Sequence, residues 1–122
     1  MGVMPSAVLR GAVLLVALDP AVGSEQGKVR PVVVVSNDGA NESASIRGRG
    51  VITVIPLTSN VDIVRSYQLR VPAGEGGLPR ESKLQVEQLR SIDVSRVVRT
   101  IGVLGAERMA QVDEALRIHL GI

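Results

Sequence analysis

The chain has 122 residues, 45% of them hydrophobic and 21% charged, with a formal net charge of +2. That length suits one domain, spanning residues 1–122 and burying roughly two thirds of its unfolded surface, and that composition excludes a disordered chain. With no cysteine, a single histidine and a single aromatic residue, Tyr67, disulfides, thiolate zinc sites, thiol nucleophiles, paired imidazoles and an aromatic base-stacking sheet are excluded within one chain.

Of the 14 basic residues only Lys28 and Lys83 are lysines. The others are arginines, whose planar donor fork suits phosphate; arginine-rich codon usage in a GC-rich genome accounts for the same bias. Residues 1–8 precede any patterned segment and are expected to be an unstructured start. Residues 12–18 form an apolar run behind Arg10. It is far shorter than the ~18 apolar residues of a membrane span. It lacks the small-residue cleavage pattern of a signal peptide and runs into Asp19-Pro20, a turn. We read residues 13–18 as a buried strand and the protein as cytoplasmic, with no membrane partner.

A loop follows through Gly23-Ser24-Glu25-Gln26-Gly27. Residues 31–35 are a β-branched run, apolar on both faces, as in a mid-core strand. It stops at Ser36-Asn37-Asp38-Gly39, a turn cluster. The polar stretch 39–50 is expected to be a long loop carrying Arg47 and Arg49. Residues 51–57 form a third strand ending in Thr58-Ser59-Asn60, and residues 67–71 a short fourth. Residues 74–79 are a glycine-rich turn. Residues 83–92 alternate as a strand until Gln88 falls on the apolar phase; a bulge explains the slip, and so does simple strand twist. Residues 106–120 place Met109, Val112, Leu116 and Leu120 at helical spacing. Glu107 lies in the first turn and His119 in the last, both favourable to the helix dipole, which is a sufficient role for His119. The expected fold is α+β and strand-rich: a small, strongly bent antiparallel barrel with a C-terminal helix over one opening or face.

Two tempting motifs fail. Gly23-Ser24-Glu25-Gln26-Gly27-Lys28 has one residue too few between its glycines for a phosphate-binding P-loop, and Val29 stands where Ser or Thr should hold magnesium. No carboxylate cluster has metal-ligand spacing, so no metal and no cofactor is expected. What remains is a polar set at strand ends: Glu25, Gln26, Lys28 and Arg30 around the first loop, and Thr58, Ser59 and Asn60 after the third strand. A guanidinium at the mouth of a core strand needs an anionic or hydrogen-bonding partner. That partner is either Glu25, in a structural ion pair, or a ligand.

The run Gly23-Ser24-Glu25-Gln26-Gly27-Lys28-Val29-Arg30-Pro31 followed by Val32-Val33-Val34-Val35 resembles the MazF/PemK-like toxins of toxin–antitoxin systems. So do Ile55-Pro56-Leu57-Thr58-Ser59-Asn60, Glu87-Gln88-Leu89-Arg90-Ser91-Ile92 and Val112-Asp113-Glu114-Ala115-Leu116, so that the likeness spans nearly the whole chain from Arg10. The resemblance implies an SH3-like barrel with a C-terminal helix, working as a homodimer. It implies a metal-independent, sequence-specific endoribonuclease cutting single-stranded RNA, held in check by an antitoxin with an acidic tail. Arg30 and Thr58 match the family's catalytic arginine and Ser/Thr. Glu25 is the third catalytic candidate, as proton acceptor or as the group that fixes Arg30. Ser24, Gln26, Lys28, Ser59, Asn60 and Gln88 are the RNA-binding candidates. Many relatives carry acidic or aromatic residues where Ala12, Leu14 and Ala17 stand, and Tyr-Pro-Phe where this chain has Arg65-Ser66-Tyr67.

The chemistry suits the residues present. Without metal or paired histidines, RNA can still be cleaved by its own 2′-hydroxyl, which attacks the adjacent phosphate and leaves a 2′,3′-cyclic phosphate and a 5′-hydroxyl. The protein must align the attack and stabilise the added charge. Two other readings stay open at this level: a protein-binding toxin of the gyrase-poison type on the same barrel, and a degenerate relative that binds only antitoxin.

Overall fold

The computed structural model describes residues 8–18 and 28–122. Seven antiparallel strands dominate it: β1 (Ala12–Ala17), β2 (Val29–Val34), β3 (Val51–Thr58), β4 (Leu69–Val71), β5 (Ser82–Leu84), β6 (Arg90–Asp93) and β7 (Val97–Val103). They lie in the order β4-β5-β3-β2-β1-β7, with β6 branching onto β3. Two α-helices, α1 (Asp38–Arg47) and α2 (Ala106–Leu120), and three short 3-10 turns complete the described residues. The strand-rich α+β architecture with a C-terminal helix is the one expected. The strand path is open, however: among the described residues no pairing joins β4 to β7 and closes a barrel.

The apolar pattern explains why the sheet is bent and filled on both sides. Even-numbered residues of β1 and β2, such as Leu14, Val16, Val32 and Val34, enter one cluster with Ile52 and Val54. Val13 and Val33 enter the other, with Ile55, Leu57 and Leu84. The valine run of β2 is therefore buried on both faces: Val32, Val33 and Val34 are all 0% exposed. The period of two sorts each strand between the two cores. β3 is shared. Its first half, Val51 to Val54, pairs with β6, and its last two residues, Leu57 and Thr58, pair with β5.

Residues 83–92 are not one bulged strand. A 3-10 turn, Val86–Gln88, separates β5 from β6. It turns the chain from one half of β3 to the other, and this accounts for the slip in alternation at Gln88. The expected fourth strand is trimmed to Leu69–Val71.

Most of the stretch 39–50 is a helix rather than a loop, since α1 runs as far as Arg47. Asn37 caps α1, its side chain accepting from Ala40 N, and Gly48 ends it in the left-handed region at φ 67°. Its residues are polar on nearly every side, and it buries only Asn41 and Ala44. Capping and those two contacts hold it, so no apolar stripe advertises it. Strand β7 was not foreseen at all. It pairs with β1 through two register shifts, which spoil a simple alternation.

α2 covers the second cluster with Met109 and Val112, and Gly121 at φ 72° closes it. Leu120, expected on its apolar face, is instead 52% exposed, and the buried residues of α2 are Met109 and Val112. His119 sits exposed in that last turn, where the dipole reading places it. Of the expected unstructured start, only Val8 lies among the described residues, and it is buried in the first cluster. No helix of the described residues is long and apolar enough to cross a membrane.

Candidate active site

Arg30 lies near the start of β2 and Thr58 at the end of β3. The two strands pair antiparallel, Val32 opposite Pro56 and Val33 opposite Ile55. Continued two residues further, the same register sets Arg30 opposite Thr58. Opposed residues of an antiparallel pair share a face, so the two side chains emerge together where the hydrogen-bonded core ends. They line one open cleft of about 260 Å³ with Ser59, Pro79, Arg80 and Ser82. Two groups 28 positions apart in sequence are thus joined by strand register.

Within this cleft Arg30 is exposed and Thr58 partly buried. The Thr58 Oγ1 accepts a hydrogen bond from Asn60 N at 3.2 Å. One lone pair of the hydroxyl is thereby occupied by the backbone, and its own hydrogen remains to be donated outward. Asn60 Oδ1 in turn accepts from Asp62 N at 3.2 Å, fixing the turn after β3. Among the described residues, no ion pair engages Arg30, and the described lining of the cleft holds no carboxylate.

The other candidates divide into three groups. Ser59 joins the cleft. Asn60 lies in a neighbouring polar depression of about 420 Å³, together with Tyr67, Gln68, Lys83 and Glu87. There Gln68 Nε2 donates to Glu87 Oε2 at 2.7 Å. Lys28 and Gln88 are exposed and line neither hollow; Gln88 closes the 3-10 turn, its N–H bonded to the Gln85 carbonyl. Ser24, Glu25 and Gln26, and with them the Glu25–Arg30 pair, lie outside the described residues.

Sequence reasoning missed Arg80 and Ser82. Their segment reaches the cleft through contacts far away in the chain. Gly76 and Gly77, at φ 64° and 76°, press backbone to backbone against Ile101 and Gly102 of β7; a Cβ on Gly77 would collide with the Ile101 carbonyl. Glu75 is gripped by Arg108 of α2 through two bonds, Nε to Oε2 at 2.7 Å and Nη2 to Oε1 at 2.9 Å. Those bonds hold the Glu75 carboxyl below its ordinary value of 4.5 and raise the Arg108 guanidinium. Leu78 is then buried in the second cluster and Ser82 Oγ donates to the Arg80 carbonyl at 3.0 Å. The only sequence signal for this was the glycine pair.

Ala12 and Leu14, two of the positions at which many relatives are acidic or aromatic, are buried in the first cluster at 1% and 0% exposure. In this chain they fill the core. Among the described residues no group of three His, Cys, Asp or Glu side chains gathers as a metal site would require.

The chain belongs to the PemK-like, MazF-like toxin family of type II toxin–antitoxin systems, whose model matches residues 9–120. It is 50% identical over 113 residues to the endoribonuclease MazF9 of Mycobacterium tuberculosis (strain ATCC 25618 / H37Rv), covering 93% of this chain and 96% of that protein. It is 38% identical over 116 residues to the endoribonuclease EndoA of Bacillus subtilis (strain 168), covering 94% and 96%. In fold it is similar to the crystal structure of MazF from Deinococcus radiodurans, with a TM-score of 0.74, 24% identity, and coverage of 97% of this chain and all of that one.

Proposed function

We propose that this chain is the toxin of a type II toxin–antitoxin system, a sequence-specific endoribonuclease that cuts single-stranded RNA without a metal ion. The observation that supports it most is the meeting of Arg30 and Thr58 in one open cleft whose described lining has no acid. A cationic fork and a hydroxyl donor, with no counter-charge among the described residues, suit a phosphodiester.

The reaction follows from that pair. The 2′-oxygen forms a bond to phosphorus while the bond from phosphorus to the 5′-oxygen breaks. A proton leaves the 2′-hydroxyl and another reaches the departing 5′-oxygen. The products are a 2′,3′-cyclic phosphate and a 5′-hydroxyl. Arg30 holds the non-bridging oxygens as charge builds on them, its donors fixed and its proton kept. The Thr58 hydroxyl, backed by Asn60 N–H, donates to the same phosphate and aligns the attacking nucleotide. Glu25 either accepts the 2′-proton or steadies Arg30. Ser24, Gln26, Lys28, Ser59, Asn60 and Gln88 contact the RNA beyond the cut.

The same proposal includes a cognate antitoxin as protein partner, a cytoplasmic location and a homodimer. For the last, β7 ends the strand path and leaves Val98 and Val103 more than half exposed, apolar surface that a second copy would cover.

Incubating the protein with total RNA in excess chelator and mapping the new 5′-hydroxyl ends tests the reading. The expected result is discrete cuts within a shared short sequence. An oligonucleotide carrying that sequence with one 2′-deoxy sugar at the cut nucleotide should resist. Cutting of the deoxy strand would eliminate the 2′-hydroxyl as nucleophile.

A further inference from the structure

We infer that Arg80 is a second phosphate-binding residue of the cleft, gripping a phosphate beside the scissile one. The inference rests on the ribonuclease reading above. It adds a residue that no motif marked and a division of labour between two arginines.

Arg80 shares the cleft with Arg30. Two cations facing one hollow repel each other unless an anion lies between them. No acid among the described residues serves. The carboxylate next to Arg80 in sequence, Glu81, is taken by Arg70, whose Nη1 lies 3.0 Å from Glu81 Oε2. This pair, between β4 and the residue before β5, thus draws the adjacent acid away and leaves the Arg80 guanidinium with no ion pair among the described residues.

The backbone under Arg80 is held in place. On one side Leu78 is 2% exposed; on the other Ser82 is 3% exposed, with its hydroxyl bonded to the Arg80 carbonyl. Before them stand the Gly76-Gly77 contact with β7 and the Glu75–Arg108 clamp. An exposed arginine on a free loop would need none of this. A long cationic side chain on a fixed base, beside an arginine that already faces the reacting phosphate, is placed for the next phosphate of an extended strand. Thr58 faces Arg30 by strand register, whereas Arg80 lines the cleft from the separate segment between Leu78 and Ser82, so Arg80 binds and orients the strand and does not act on the bond being broken.

The test uses the intact protein, the mapped RNA oligonucleotide and its 2′-deoxy counterpart, which binds without being cut. Fluorescence anisotropy on the deoxy strand between about 50 and 200 mM salt gives the dissociation constant and its salt slope. Arg80→Ala should weaken binding about tenfold or more. It should also reduce the slope of log affinity against log salt by about 0.7, the loss of one phosphate contact on a single strand. Arg80→Lys should keep the slope, because the charge remains. At saturating enzyme, single-turnover cutting by Arg80→Ala should fall far less than by Arg30→Ala. Thermal melting should be unchanged, since no described side chain pairs with the guanidinium. An Arg80→Ala protein with wild-type affinity and slope overturns the inference, and so does one whose saturated rate falls as far as that of Arg30→Ala. Wild-type protein that neither binds nor cuts RNA removes the ribonuclease reading and this one together. Wild-type protein that binds and cuts normally, beside an indistinguishable Arg80→Ala, removes this one alone.

Discussion

The β2–β3 pair has polar groups at both ends, and the two ends are built oppositely. At one end, Asn41 of α1 is fully buried and its amide is occupied: Oδ1 accepts from Ser36 Oγ, and Nδ2 donates to the Ser36 carbonyl at 2.9 Å. Ser36 Oγ also accepts from Thr53 N at 3.0 Å. At the other end, Arg30 and Thr58 open to solvent and the cations find no acid among the described residues. The first set is satisfied from within and ties α1 to the sheet. The second finds no acidic partner among the described residues. Polar residues at strand ends thus say little by type; the state of their partners tells a structural cluster from a binding one.

The sharpest break in that comparison is Arg30→Ala. Removing one donor from the developing charge should slow RNA cutting about 100- to 1,000-fold with little change in melting temperature, as measured by single-turnover cleavage and by circular dichroism. A large drop in stability instead would make Arg30 a structural residue like Asn41. The reverse case is Asn41→Ala, which empties a fully buried site and leaves part-buried Ser36 groups without their partner. It should destabilise the fold by about 2–3 kcal/mol and lower Tm by roughly 10 °C, while the rate per folded molecule, read well below Tm, stays near wild type.

A smaller effect sharpens the comparison on the segment that leads from Glu75 to Arg80 in the cleft. Glu75→Gln should cost about 1 kcal/mol at neutral pH, by denaturant titration. Because the folded Glu75 carboxyl titrates below its ordinary 4.5, its contribution is fully present above that value and is lost as pH falls through the folded one. The wild-type and Glu75→Gln curves should therefore converge in acid; a gap that persists there would assign the cost to lost packing.

Much of this was legible in the residues. The valine run of β2 could only be a strand filled on both faces, and Arg30 and Thr58 stand at strand ends in a motif of high specificity. Arg80 was not legible, because its position depends on glycines 76 and 77 meeting Gly102, a contact between distant segments that no local pattern encodes. α1 escaped because capping holds it without an apolar stripe, and β7 because two register shifts with β1 broke its alternation.

The Glu75–Arg108 clamp bears on the moment at which the toxin becomes complete. A growing chain halted before residue 108 lacks α2's arginine, and one halted before residue 101 also lacks the part of β7 on which the glycine pair rests. Proteins emerge from the ribosome N-terminus first. The wall bearing Arg80 therefore gains its last support only once residue 108 has been translated, 50 residues after Thr58.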